Sequence, residues 1–155
     1  MTDVRRSQLL LAVSTLVLGL SPALPTPAAP LGQSWKTFRD WTVYKNGATC
    51  TAALTANTDI QIGADANLYI GVANIQGGLK SYQYQFDYLT PVGPIPASND
   101  QQASDTWSVG PDVWANRTLL RYQFTNDSGQ TIRGRYAIKG AQAAFDSLGP
   151  CAQKP

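Results

Sequence analysis

Arg121, Arg133 and Arg135 are the side chains whose type and spacing offer this chain the most chemistry. Guanidinium groups gathered on one strand pair can hold phosphate, sulfate or an acidic glycan through forked, charge-assisted hydrogen bonds. The competing reading is a solvated basic face that keeps a sheet edge from pairing. A second group is the alternating run Tyr82, Tyr84, Phe86 and Tyr88. It reads either as a core-facing stripe or, through Tyr82, Tyr84 and Tyr88, as an exposed platform on which sugar or peptide stacks. The interleaved Ser81, Gln83, Gln85 and Asp87 suit a solvated opposite face and favour the first reading.

The absences are as informative. The 155 residues contain no histidine, and all ten acidic residues are Asp. No Ser-His or Cys-His nucleophile, imidazole base or His-ligated zinc is therefore possible. Two cysteines are too few for a four-cysteine zinc site. Asp59, Asp65, Asp87, Asp100, Asp105, Asp112 and Asp127 mostly neighbour Gly, Asn, Ser or Pro, where Asp serves turn hydrogen bonding. Glycoside cleavage instead needs two carboxylates facing a cleft. No catalytic residue, metal or cofactor is expected. A net charge of +2 is too weak to argue for nucleic acid.

Compartment follows from the N-terminus. Arg5 and Arg6 precede an apolar run over residues 9–20, then Ser21-Pro22-Ala23 and a Pro/Ala-rich stretch to residue 30. This is the pattern of a signal peptide over residues 1–28, with cleavage after Ala23 or Ala28. The run is shorter than the roughly 20 residues a spanning helix needs. A periplasmic or secreted domain over 29–155 is expected, with no membrane span after cleavage. In that oxidising compartment Cys50 and Cys151 should form a disulfide.

The positioning elements read as hairpins. Asn46-Gly47 between two β-rich runs predicts a type I′ turn, with Val43 facing Cys50 and Trp41 facing Ala52. Trp41, Val43, Cys50, Ala52 and Leu54 then share the inward face. A second hairpin is expected from residues 67–75 to 80–88 about Gly77-Gly78, followed by an irregular excursion over 90–105. Trp107 and Trp114 read as core or rim aromatics. The last hairpin pairs 118–125 with 130–138 through a three-residue Asp-Ser-Gly loop with Gly129 left-handed. That loop sets Phe124 opposite Ile132, Tyr122 opposite Gly134 and Leu120 opposite Tyr136. Residues 140–148 are helical, with Ala141, Ala144, Phe145 and Leu148 as the docking stripe and Gly149-Pro150 as the stop. The fold class is mainly β: an antiparallel sandwich or small barrel of hairpins with one short C-terminal helix and one disulfide.

Two segments carry a family likeness. Phe38-Arg39-Asp40-Trp41-Thr42-Val43-Tyr44, with Cys50 soon after, resembles the F-G-D-W-x-V opening of invasion-associated locus B proteins. The end, Gly129-Gln130 and then Ile138-Lys139-Gly140-Ala141-Gln142-Ala143-Ala144-Phe145-Asp146-Ser147-Leu148, is similar to that family's tail. Arg39 stands where the family has Gly, Ala141 where it has an aromatic, and the middle of the chain does not match. The resemblance implies a small exported bacterial envelope protein, with a role in host-cell interaction in some pathogens, and brings no catalytic residues. The expected function is non-enzymatic binding of an envelope protein or glycan. The alternatives are a periplasmic inhibitor of a cell-wall hydrolase, on architecture alone, or a glycan-binding or glycan-cleaving domain.

Overall fold

A computed structural model describes residues 31–72 and 77–154. The expected signal peptide over residues 1–28 and its cleavage sites lie outside the described residues. The described residues form ten strands in two antiparallel sheets. The larger contains β1 (Gln33–Phe38), β2 (Trp41–Asn46), β3 (Thr49–Leu54), β4 (Asn57–Ile62), β5 (Leu68–Gly71) and β8 (Thr106–Val109), in the order β1-β2-β3-β4-β5-β8. The smaller contains β6 (Leu79–Phe86), β7 (Val92–Pro96), β9 (Leu119–Asn126) and β10 (Thr131–Ala137), in the order β10-β9-β6-β7. The described residues also include four short helices: α1 (Asn99–Ser104), α2 (Pro111–Trp114), α3 (Ala141–Asp146) and α4 (Leu148–Gln153).

Aromatic side chains join the inner faces of the sheets. Trp107 of β8 stacks on Tyr82 of β6 at 4.9 Å and meets Tyr122 of β9 edge-on at 5.7 Å. Trp41, Trp107 and Trp114 are all fully buried. The indole N–H of Trp41 donates to the Ile138 carbonyl (3.1 Å) and that of Trp114 to the Ala66 carbonyl (3.0 Å). Trp107 Nε1 is the one buried side-chain N or O among the described residues without a partner.

The first hairpin forms with its turn displaced. Val43 faces Ala52 and Trp41 faces Leu54, so Gly47-Ala48 rather than Asn46-Gly47 make the loop. Only Gly47 takes a positive φ (+60°) there, which fits a turn with Gly in first place; a type I′ turn would need two such residues. The shift is two residues, so the side-chain faces are unchanged and Trp41, Val43, Cys50, Ala52 and Leu54 all point into the core.

The second hairpin does not form. β5 pairs with β4 and β8, whereas β6 pairs with β9 and β7, so the chain changes sheets between them. Leu68 and Ile70 on one side and Leu79, Tyr82 and Phe86 on the other are all buried. Placed in opposite sheets, the two sets face each other across one core, with Tyr82 stacked on Trp107. The excursion over 90–105 is also ordered. Pro94 and Pro96 sit in β7, an edge strand that tolerates missing N–H groups. Ser98 and Gln101 form a reciprocal capping box that starts α1.

At the C-terminus Gly149-Pro150 does not end the helical region. Both lie in the first turn of α4, where a proline loses no hydrogen bond. Ala141, Ala144 and Leu148 are buried and Phe145 packs edge-on to Trp114 at 6.0 Å. The Cys50–Cys151 disulfide ties β3 to α4 with Cα atoms 6.2 Å apart. Asp40 adds a second clasp, accepting from the Lys139 N–H at 2.7 Å.

Candidate functional site

The β9–β10 hairpin has the expected register: Phe124 faces Ile132, Tyr122 faces Gly134 and Leu120 faces Tyr136. Its loop is organised by Asn126, whose side-chain oxygen accepts from Gln130 N–H (2.7 Å) and Ser128 hydroxyl (2.8 Å), while Gly129 takes φ +81°. Alternation along β9 sends Leu120, Tyr122 and Phe124 inward and leaves Arg121 and Gln123 on the outer face. Arg133 and Arg135 are exposed on β10 beside them.

The smaller sheet then adds what local patterning did not reveal. β6 pairs with β9 so that Gln83 faces Gln123 and Gln85 faces Arg121. The outer face is therefore a block of three arginines and three glutamines. A shallow groove of about 330 Å³ lies along it, with Tyr84 and Pro91 also in its lining. Gln83 and Gln85 are legible as solvated residues, but their convergence on the arginines depends on a pairing between strands far apart in sequence.

Hydrogen bonds orient part of this block. Arg121 donates to the Asp87 carbonyl (2.6 Å), and its guanidinium lies over the Tyr88 ring at 5.7 Å. Arg133 Nε donates to Gln123 Oε1 (2.9 Å). Arg121 and Arg135 are directly opposed across the strand pair, an arrangement in which like charges repel. No carboxylate among the described residues bonds to any of the three arginines.

The tyrosines divide. Tyr82 is buried on Trp107, and its hydroxyl accepts from Gln101 at 3.2 Å. Tyr84 is half-buried, and burial raises its phenol above the ordinary range, with Tyr82 and Asp112 adding to the effect. Tyr88 lies past the end of β6 and is 91% exposed, beside the exposed Leu89 and Val92. Of the three, Tyr88 alone offers a free ring face next to the arginines.

The aspartates with perturbed acidity hold backbone in place, Asp65 within its own turn and Asp87 at the start of β9. The Asp65 carboxyl is held below the ordinary range, chiefly by the Tyr69 hydroxyl and further by Asn67. At Asp87, burial pushes upward, but the Thr118 N–H and hydroxyl and the Leu119 N–H donate to it, and the net shift is downward. A general acid needs the opposite shift. Among the described residues no group of three metal-ligating side chains gathers, and no helix is long and apolar enough to cross a membrane.

Compared with known proteins, the chain matches no family model, no curated relative and no solved structure.

Proposed function

We propose that this is an exported, non-enzymatic binding protein of the bacterial envelope that takes an anionic partner on the outer face of the smaller sheet. The observation that carries the reading is the opposition of Arg121 and Arg135, flanked by Arg133, with no carboxylate among the described residues bonded to them. An anion laid across the block relieves that repulsion and accepts forked hydrogen bonds. The glutamines add neutral donors and acceptors, and Tyr88 adds a ring for stacking. Export is supported by the N-terminal pattern and by a disulfide that persists in oxidising compartments. The likeness to invasion-associated locus B proteins supports an interaction role, in which host-cell contact is one setting.

The test is binding of carboxylated and sulfated oligosaccharides and of polyaspartate, titrated against salt. Binding that weakens as ionic strength rises, and that Arg133→Ser/Arg135→Ser removes without loss of fold, is the expected result. Failure of every anion to bind, or equal binding by the double variant, refutes the proposal.

A further inference from the structure

The strand that carries two of the arginines is also the open edge of its sheet. β10 pairs with β9 on one side only. Hydrogen bonding in an antiparallel pair alternates along the strands, and both ends of this hairpin set the phase. Asn126 N–H donates to the Gln130 carbonyl (3.0 Å) at the turn, and Ile138 N–H donates to the Thr118 carbonyl (2.9 Å) at the far end. Ile132, Gly134 and Tyr136 therefore direct their main-chain groups toward β9. Thr131, Arg133, Arg135 and Ala137 direct theirs away from it. No main-chain partner meets those four from any other described segment. Prolines blunt the opposite edge, β7, whereas β10 has none.

We infer that this edge accepts an extended acidic peptide from a partner protein as an added strand, with carboxylates at alternate positions opposite Arg133 and Arg135. The inference rests on the anion-binding reading above and names its partner class. A residue that pairs with Arg133 by main-chain hydrogen bonds places its side chain on the same outer face, directly beside the guanidinium. Two residues along, the next side chain meets Arg135. The residue between them points inward, toward half-buried Ile132 and a cleft of about 160 Å³ that also touches Phe124, Val72 and Asp59. That position suits an apolar side chain, and an acid there would face the Asp59 carboxyl. The motif is therefore acid–apolar–acid.

The chain cannot supply this strand itself. It has no Glu, and no two of its ten Asp residues stand two positions apart. Two β10 edges paired about Gly134 would oppose arginine to arginine. The same charges that reject self-pairing select a complementary stranger.

The probe is a blocked heptapeptide of alternating Glu and Val, measured by calorimetry and by amide exchange on the wild-type protein. Binding should slow exchange at the Arg133 and Arg135 amides at least tenfold. N-methylation at the Glu amides, which face the edge, should weaken binding at least tenfold; N-methylation at the Val amides should not. An isomer with its glutamates adjacent should bind at least tenfold more weakly. If the isomer binds equally, or the two amides stay unprotected, strand addition is refuted while anion binding stands. Strand addition is likewise refuted if an acidic oligosaccharide binds and the peptide does not. If neither binds, both readings fall.

Discussion

Replacing Gly134 with alanine probes the contact that seats the arginine-bearing hairpin on its core. A Cβ at this position would lie 2.6 Å from the Tyr122 hydroxyl oxygen and closer still to the ring carbons. The ring has little room to withdraw. It is stacked on Phe124 and Tyr136, each at 6.1 Å, and Trp107 meets it edge-on. Overpacking a filled site costs about 1–3 kcal/mol. Alanine regains roughly 0.5–1 kcal/mol by restricting the unfolded chain. The net loss expected from Gly134→Ala is therefore about 0–2.5 kcal/mol. In a Tyr122→Leu background the obstruction is gone, and the same change should be neutral or stabilise by up to about 1 kcal/mol. Urea unfolding of all four proteins of the cycle, followed by tryptophan fluorescence, gives a coupling expected near 1–3 kcal/mol. An equal loss in both backgrounds would refute the reasoning, because the cost would then lie in the backbone and not in the ring.

Other consequences are as direct. Cys50→Ser removes the clasp between β3 and α4 and should cost about 2–5 kcal/mol in equilibrium unfolding, while the non-reduced parent takes up no alkylating reagent. Asp87→Ala strips three hydrogen bonds from the start of β9 and should cost about 1–3 kcal/mol; Asp87→Asn, which keeps an acceptor and tolerates the left-handed backbone at φ +49°, should cost less. Because the folded Asp87 carboxyl is held low, its contribution is complete above the unfolded value near pH 3.9 and is lost as pH falls through the folded one. Acid titration of Asp87→Asn should accordingly show a shallower stability loss below about pH 4 than the parent. Ser98→Ala breaks the capping box of α1 and should cost about 1 kcal/mol, with limited proteolysis moving to residues 99–104; an unchanged cleavage map counts against the cap.

The features legible in the amino-acid order are the local ones. The Asp-Ser-Gly loop admits one register that puts Tyr122, Phe124, Ile132 and Tyr136 on one face, so the arginine face follows from the hairpin alone. The inward face of β2 and β3 is legible for the same reason, and a two-residue displacement of the turn leaves it intact because side chains alternate with a period of two. The disulfide follows from an even cysteine count and an export pattern. The capping signal Ser98-Asn99-Asp100-Gln101 is present too, but the prolines around it speak for a loop. Packing of the whole chain settles the rest: β5 and β6 part company into different sheets, β6 brings Gln83 and Gln85 against Arg121 and Gln123, and β10 is left as an open edge. Gly77-Gly78 permits a reversal of the chain whether the next strand lies alongside or in the facing sheet. The choice is made by which arrangement buries Leu68, Ile70, Tyr82 and Phe86 together around Trp107, and that burial is a property of the whole packed molecule.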